Sequence, residues 1–170
     1  MKKALYFFIT IFVVIILDQW TKLLVLSKFE YGESVQVIMD YFSLTYVRNT
    51  GAAFGFMASA NPAFRVPFFL AVPIIAMVIL GFLYRDLPKE SRWRSLALGL
   101  VTGGAVGNLI DRVRLGYVVD FLDFHYKNAY YFPAFNVADS AICVGVAILL
   151  LSTMEKTSKK ENSGNVSNAT

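Results

Sequence analysis

Cysteine, histidine and charged residues are scarce in this sequence, and each scarcity excludes a class of chemistry. A single cysteine cannot form an intramolecular disulfide, and one cysteine with one histidine cannot supply the usual ligands of a zinc site. Cys143 has only His125 as an imidazole base, so we expect it to be a small core residue rather than a nucleophile. Carboxylates remain as reactive groups, and the composition still permits Mg²⁺ or Mn²⁺ bound by them.

Apolar residues are abundant instead. They make up 56% of the chain, whereas charged residues make up 16%, against roughly 25% in soluble domains. Four apolar runs occupy residues 4–26, 66–84, 95–110 and 137–154. The second run contains no charge, and its length approaches the roughly 20 residues that cross a bilayer. We therefore predict an all-α membrane protein with four transmembrane helices in residues 1–154, and a polar, disordered cytoplasmic tail at 155–170.

The positions of the cations predict the topology. Nine of the 16 Lys and Arg residues fall in short segments on one side if all four runs cross: Lys2, Lys3, Arg85, Lys89, Arg92, Arg94, Lys156, Lys159 and Lys160. The positive-inside rule then puts both termini in the cytoplasm. The opening MKKALYFFITIFVVII imitates a signal peptide, but the following LDQWTKLLVL lacks a small-residue cleavage site, which indicates an uncleaved span. Topology thus explains the net charge of +4, and no nucleic-acid partner is expected.

With this orientation, the polar residues of the spans and of the outer loops fall in one layer near the outer interface. The set comprises Asp18, Lys22, Asn49, Asn108, Asp111, Arg112, Asp120, Asn136 and Asp139. The inner halves of the spans carry almost no polar side chains. A carboxylate inside a span costs on the order of 2.5–3.5 kcal/mol even on the mildest insertion scale, which favours a functional reason for the layer.

Some members of this layer also have a purely structural interpretation. Asp18 and Lys22 are spaced i, i+4, as in a stabilising ion pair on a helix. Asn136 and Asp139 have the spacing of a capping-box variant, with Asn as the cap and a carboxylate three residues later. These interpretations do not explain why all the polar residues share one depth.

Glycines form a stripe on the third apolar run. Gly99, Gly103 and Gly107 recur every four residues, so they lie on one face of a helix. Such a stripe lets helix backbones approach closely, and we interpret it as a packing surface. Close packing would bring Asn108 and Asp111 towards neighbouring helices.

The first outer connection, residues 27–63, is too long for a simple link. Within it, SVQVIMDYFSLTYVRN alternates well enough to predict two short strands. The Gly-Ala-Ala that follows indicates a turn or a close approach of the backbone. We therefore expect a small extracytoplasmic β-sheet between the first two spans, above the polar layer.

The carboxylates of the layer suggest one reaction class. Two aspartates close together in a poorly solvated site share one proton, because both cannot ionise. Such a dyad can accept a proton from an attacking water and donate one to a carbonyl oxygen, which is peptide hydrolysis without a covalent intermediate. Asp120 and Asp139 are the best candidates, one on a loop and one at a helix start. By spacing alone, Asp18, Asp111 and Asp123 compete with them.

Five blocks of sequence also carry a family resemblance. They are DQWTK (18–22), NTGAAF (49–54), GGAVGNLIDR (103–112), VVDF (118–121) and FPAFNVADS (132–140). In this order and spacing they closely resemble the motif blocks of lipoprotein signal peptidase, the bacterial type II signal peptidase of the aspartic class. The resemblance implies a four-helix membrane endopeptidase with a small sheet and a short outer helix. It also implies a substrate, a prolipoprotein modified with diacylglycerol and cleaved just before the lipidated cysteine.

The resemblance further implies residue roles and partners. The implied roles are catalysis for Asp120 and Asp139, binding of the substrate or the dyad for Asn49, Asn108, Arg112 and Asn136, and support of the site for Asp18, Lys22 and Asp111. The family needs no metal or other cofactor and is sensitive to the cyclic peptide globomycin. It acts at the outer, periplasmic face of the bacterial cytoplasmic (inner) membrane, among membrane lipids, and no obligate protein partner is inferred.

Three other functions fit parts of the pattern. A proton-coupled transporter also needs intramembrane carboxylates, but its polar groups should run through the whole thickness of the membrane. A non-catalytic assembly protein would use the glycine stripe and would leave Asp120 and Asp139 unexplained. A metal-dependent hydrolase would use the same carboxylates as ligands.

Overall fold

The computed structural model describes residues 2–51, 60–127 and 129–167, with side chains of the last helix described as far as Ser152. The elements in chain order are α1 (Lys2–Lys28), β1 (Ser34–Ile38), β2 (Phe42–Asn49), α2 (Pro62–Arg85), α3 (Arg92–Leu115), β3 (Val118–Tyr126), β4 (Tyr130–Tyr131) and α4 (Val137–Ser167). The last three residues of the NTGAAF block lie outside the described residues. No short outer helix occurs in the described part of the chain.

The prediction of a mostly helical membrane protein with a small sheet is confirmed. Among the described residues, α1, α2 and α3 are long and apolar enough to cross a membrane, and the apolar part of α4, Val137–Ser152, is shorter. The four-span count therefore stays a prediction. The structure continues α4 to Ser167, although the composition of residues 155–170 predicts disorder. Lys and Glu within this segment have good helix propensity, and a helix already nucleated by the preceding turns extends at low cost. The division into a membrane domain and a tail stays a prediction.

Helix ends follow the local chemistry of the sequence. Asn61 caps α2 by accepting a hydrogen bond from Ala63 N at 2.9 Å, and Pro62 occupies the first helical position. Gly116 ends α3 in the left-handed conformation, with φ of 81°, which suits glycine because it has no Cβ. This turn sends the chain directly into β3, and so sets the position of Asp120.

Glycines let α3 pack closely against both α1 and α4. A Cβ added to Gly103 would lie 2.9 Å from Val14 Cβ in α1, and one added to Gly99 would lie 2.8 Å from Phe7 O. Gly104 faces the backbone of Ala138 in α4. The predicted packing role of the stripe is confirmed, with the addition that a second glycine face serves α4. As a result, α3 lies between the two helices that carry the other polar residues.

The sheet is antiparallel with the order β1-β2-β3-β4. The two strands predicted in the first connection are confirmed as β1 and β2. The prediction that the sheet lies only between the first two helices is wrong, because β3 and β4 come from the connection between α3 and α4. β3 pairs with β2, with Asp120 opposite Val47 and Val118 opposite Asn49. This pairing buries Val119 and Phe121 of β3 in one cluster with Tyr46 and Val25, which stabilises the strand in a way that its own sequence does not reveal.

Candidate active site

Asp120 and Asp139 lie on different segments that meet at one cavity. Asp120 is in β3, and Asp139 is in the first turn of α4. The cavity has a volume of about 540 Å³. Its lining comprises Asn49, Asn108, Arg112, Val118, Asp120, Phe132, Pro133, Ala134, Phe135, Asp139, Ser140, Ile142 and Cys143. One wall therefore carries the two carboxylates with amide groups, and the opposite part of the lining is largely apolar.

Asp120 is almost completely buried, with 2% of its surface exposed. Its carboxylate accepts hydrogen bonds from Asn49 Nδ2 at 2.9 Å and from Asn136 Nδ2 at 2.7 Å. Burial away from water, together with the negative charge of Asp139, raises the pKa of Asp120 to about 7. The two amide donors act in the opposite direction but do not cancel the burial. Asp120 is thus able to hold a proton near neutral pH.

Asp139 is only partly buried and is held at the start of α4. Its carboxylate accepts hydrogen bonds from Asn108 Nδ2 at 2.8 Å and from the backbone N of Asn136 at 3.2 Å. In return, the backbone N of Asp139 donates to Asn136 Oδ1 at 3.0 Å. The predicted capping box is confirmed, and it fixes the carboxylate while leaving it in contact with the cavity.

Asn136 connects the two aspartates. Its side-chain amide donates to Asp120, and its backbone N–H donates to Asp139. The same amide group also reaches Asn108 Oδ1 at 3.1 Å, and Asn136 has no exposed surface. A single asparagine therefore holds both carboxylates, and its neighbour Asn108 repeats the contact to Asp139.

Arg112 lines the cavity without a direct ion pair to either aspartate. It donates from Nη1 to the backbone O of Asn108 at 3.3 Å and from Nη2 to Gly51 O at 3.2 Å. Its Cζ lies 5.3 Å from the ring centre of Phe69 in α2. The guanidinium thus joins three segments at the edge of the cavity: α3, the end of β2 and α2.

A buried ion triad lies beneath the site. Lys22 Nζ is 2.9 Å from Asp18 Oδ2 and 3.0 Å from Asp111 Oδ2, and all three residues are at most 3% exposed. Asp18 accepts a hydrogen bond from Ala138 N, and Asp111 accepts one from Val119 N, each at 3.0 Å. These amides come directly before Asp139 and Asp120. The triad therefore ties down the backbone of both segments that present the paired aspartates.

Gln19 was missed by the sequence reasoning. Its Nε2 donates to Asp18 Oδ2 at 3.1 Å, to Asp111 Oδ1 at 3.0 Å and to Gly107 O at 3.2 Å. The only signal was its place inside the DQWTK block, because a glutamine beside an aspartate has no distinctive spacing. Gln19 shares Asp18 Oδ2 with Lys22 and satisfies Asp111 Oδ1, which Lys22 does not contact.

The competing residues have other partners. Asp18 and Asp111 belong to the ion triad, and Asp123 accepts a hydrogen bond from Thr45 Oγ1 at 2.8 Å. The expectation for Cys143 is wrong, since this residue is exposed and lines the cavity instead of lying in the core. Cys143 lies four residues after Asp139 and on the same face of α4, and both line the cavity.

The fold and the cavity define a class of protein. A helical membrane protein that holds two carboxylates in one poorly solvated cavity, each fixed by amide donors, has the arrangement of an aspartic hydrolase. Within the described residues, no group of three or more His, Cys, Asp or Glu side chains is arranged to hold a metal ion.

Comparisons with known proteins identify the family. The family model described as signal peptidase (SPase) II matches residues 10–155. A lipoprotein signal peptidase of Geobacter metallireducens is 48% identical over 150 residues, which cover 87% of this chain and 91% of that protein. Another, of Syntrophotalea carbinolica, is 51% identical over 138 residues, covering 81% of this chain and 84% of that protein. A solved bacterial membrane enzyme, determined by the in meso method at 2.3 Å resolution, matches with a TM-score of 0.80 and 34% identity over 90% of each chain. The chain therefore belongs to the signal peptidase II family, and is an aspartic endopeptidase of the bacterial inner membrane.

Proposed function

We propose that this protein removes the signal peptide from prolipoproteins that carry diacylglycerol, cutting just before the lipidated cysteine, with Asp120 and Asp139 as the catalytic dyad. The observation that carries the proposal is the shared cavity, which is lined by the almost completely buried carboxylate of Asp120 and the partly buried carboxylate of Asp139.

The two environments assign the chemical roles. Asp139, which is less buried, acts as the base and accepts a proton from the attacking water. Asp120 carries the shared proton and donates it to the carbonyl oxygen of the scissile bond, so that a neutral tetrahedral intermediate forms. Collapse of the intermediate transfers the proton from Asp139 to the leaving amine and returns a proton to Asp120. The dyad is thus restored without a covalent intermediate.

The surrounding amides bind and orient. Asn49 and Asn136 hold Asp120, and Asn108 and Asn136 hold Asp139, which leaves the remaining lone pairs of both carboxylates for water and substrate. Arg112, at the rim, has further N–H donors for the substrate backbone. Asp18, Lys22 and Asp111 support the site from below through the backbone amides described above.

The apolar part of the cavity suits a lipid-bearing substrate. Phe132, Pro133, Phe135 and Ile142 are among its lining residues. Acyl chains buried there would remove apolar surface from water while the peptide bond reaches the dyad. A globomycin-type cyclic peptide is expected to compete for the same cavity.

The proposed topology has four spans, both termini in the cytoplasm and the dyad near the periplasmic face. Three spans are α1, α2 and α3, and the fourth is the apolar part of α4, which begins next to the dyad. α1 has 27 residues, and at 1.5 Å per residue it is about 40 Å long, which matches a bilayer with its headgroups.

Reporter fusions test this topology. A reporter placed after Thr170 should behave as cytoplasmic, and one inserted at Asp40, in the β1–β2 turn, should behave as periplasmic. The reason is the excess of Lys and Arg on the terminal side. A periplasmic signal at the C-terminus would contradict the proposed depth of the dyad.

The pKa of Asp120 predicts the pH dependence of cleavage. Because Asp120 must hold a proton and its pKa is about 7, kcat/KM should fall as the pH rises through about 7. The hydrogen bond from Asn49 stabilises the carboxylate, so its loss in Asn49→Ala should raise the pKa and move the alkaline limb to higher pH. The measurement is kcat/KM as a function of pH on a lipid-modified prolipoprotein.

Gln36→Ala provides the control, since Gln36 is an exposed residue of β1 outside the cavity, and its profile should match the parent protein. An alkaline limb that stays in place or moves to lower pH in Asn49→Ala would contradict the role of Asp120 as the acid.

The raised pKa of Asp120 also affects the stability of the fold. Because the native state binds this proton more tightly than the unfolded chain, this contribution to stability is present at low pH and is lost as the pH rises from about 4 to about 7.

A further inference from the structure

Arg48, in β2, is surrounded by aromatic rings. Its Cζ lies 4.7 Å from the ring centre of Tyr31, 5.4 Å from that of Tyr46 and 5.1 Å from that of Tyr117. Its Nε donates to Tyr46 Oη at 2.9 Å, and the hydroxyls of Tyr46 and Tyr117 are 3.0 Å apart. Three rings and one hydrogen bond therefore fix the plane of the guanidinium group in advance of any ligand.

This guanidinium has no acidic partner in the described parts of the chain. The ion pairs found there are those of Lys22 with Asp18 and Asp111. Glu33 lies next to Tyr46, since its backbone O accepts a hydrogen bond from Tyr46 N. The carboxylate of Glu33, however, accepts a hydrogen bond from the backbone N of Glu30. Among the residues that the structure describes, only the N–H on Nε of the five donors of Arg48 has a hydrogen-bond acceptor. Both terminal nitrogens of an oriented cation are thus available to an anion.

The position of Arg48 along the membrane normal is set by its neighbours. Tyr31 follows the last residue of α1 by three positions, Tyr117 follows the last residue of α3 by two, and Tyr46 packs in one cluster with Val25 of α1. These residues therefore lie just beyond the outer ends of two spans. In the topology proposed above, this is the headgroup layer, where tyrosine and arginine are favoured and phosphate is the prevailing anion.

We infer that Arg48, Tyr31, Tyr46 and Tyr117 form a binding site for the phosphate of a bilayer phospholipid. Both terminal nitrogens of Arg48 donate to phosphate oxygens in the bidentate manner that suits a guanidinium. The hydroxyls of Tyr46 and Tyr117 share one hydrogen bond, and when Tyr46 donates it the hydroxyl of Tyr117 supplies a further donor to the phosphate. The two acyl chains of the lipid continue into the bilayer beside α1 and α3.

The site adjoins the proposed catalytic machinery. Asn49, the next residue in β2, holds Asp120, and Arg48 pairs in register with Val119 of β3. A lipid held at Arg48 fixes this end of the sheet against the membrane surface. The inference rests on the proposed membrane spans α1 and α3, because a site just beyond the ends of two spans meets lipid headgroups whichever side of the membrane it faces.

Native mass spectrometry of the detergent-purified protein, titrated with lipid, tests the inference. Phosphatidylglycerol should bind, diacylglycerol with the same chains should not, and glycerol 3-phosphate should not compete. Arg48→Gln should weaken phosphatidylglycerol binding about tenfold or more, in line with loss of hydrogen bonds to a charged group. Tyr31→Leu, which keeps the cation but removes one ring, should weaken it several-fold. Arg114→Gln, at an exposed arginine of the same end of α3, should change the affinity less than about twofold.

Separate outcomes would overturn the inference. An equal loss in Arg114→Gln would show attraction by general charge, and full competition by glycerol 3-phosphate would assign the site to soluble phosphate. Unchanged affinity in Arg48→Gln, with the parent thermal unfolding curve, would exclude the site. Asp120→Asn should bind lipid as the parent does, so failure of the proposed catalysis leaves this measurement intact. A periplasmic C-terminal reporter would contradict the topology without changing the lipid titration.

Discussion

Asp120→Asn and Asp139→Asn should each reduce cleavage of a lipid-modified prolipoprotein by at least about 10³-fold, because each removes one of the two proton transfers. Both variants should still fold. The side-chain oxygen of Asn at position 139 can still accept the hydrogen bond from Asn136 N, and position 120 tolerates a neutral side chain because the pKa of Asp120 is already about 7. The measurement is single-turnover cleavage by purified protein in detergent, with thermal unfolding as the check on folding.

The double variant and a control sharpen this result. If the two aspartates act as one unit, Asp120→Asn with Asp139→Asn should be no worse than either single change. Asp123 is in β3 like Asp120, and among the described residues its carboxylate accepts a hydrogen bond only from Thr45 Oγ1. Asp123→Asn should therefore retain the activity of the parent protein within a few-fold. Full activity in either dyad variant would refute the assignment. A chelator should leave the parent rate unchanged, and activity lost to a chelator and restored by Mg²⁺ would favour the metal-dependent alternative instead.

Lys22→Met should lower the free energy of unfolding by about 3–5 kcal/mol, because it leaves two buried carboxylates without their cation. Lys22 is 2% exposed and contacts Asp18 and Asp111, and its Nζ also donates to Asn108 Oδ1 at 2.9 Å. Since Asn108 holds Asp139, activity should fall as well, even at temperatures where the variant is folded. Thermal unfolding in detergent and cleavage at low temperature measure the two effects.

Two further variants separate charge burial from packing. Lys28→Met, at the exposed end of α1, should leave the unfolding midpoint unchanged. Combining Lys22→Met with Asp18→Asn and Asp111→Asn replaces all three charged side chains of the triad by neutral ones. This triple variant should recover much of the stability lost in Lys22→Met, since no buried charge stays unpaired. A single Lys22→Met variant as stable as Lys28→Met would contradict the account of the triad.

Much of the site was predictable because several of its polar residues lie within apolar runs of the sequence, where burying a polar side chain in the membrane costs free energy. Asn136 and Asp139 were also predictable as a capping box, since a cap depends only on neighbours in sequence. Gln19 was not predictable in this way, because its three hydrogen bonds reach side chains and backbone on another helix as well as its own. Cys143 was assigned to the core because only one imidazole was available as its base, but the absence of a catalytic partner does not determine whether a side chain is buried.

The sequence by itself determined the apolar helices and the hairpin of β1 and β2, and it predicted a layer of polar residues at one depth. Each of these depends on composition, on periodicity or on contacts between near neighbours. The tertiary structure alone decided that β3 joins β2, that Lys22 takes both Asp18 and Asp111, and that Asn136 touches both aspartates. These contacts depend on how closely α3 approaches α1 and α4, which brings segments distant in sequence together. The burial that raises the pKa of Asp120 is a product of that packing.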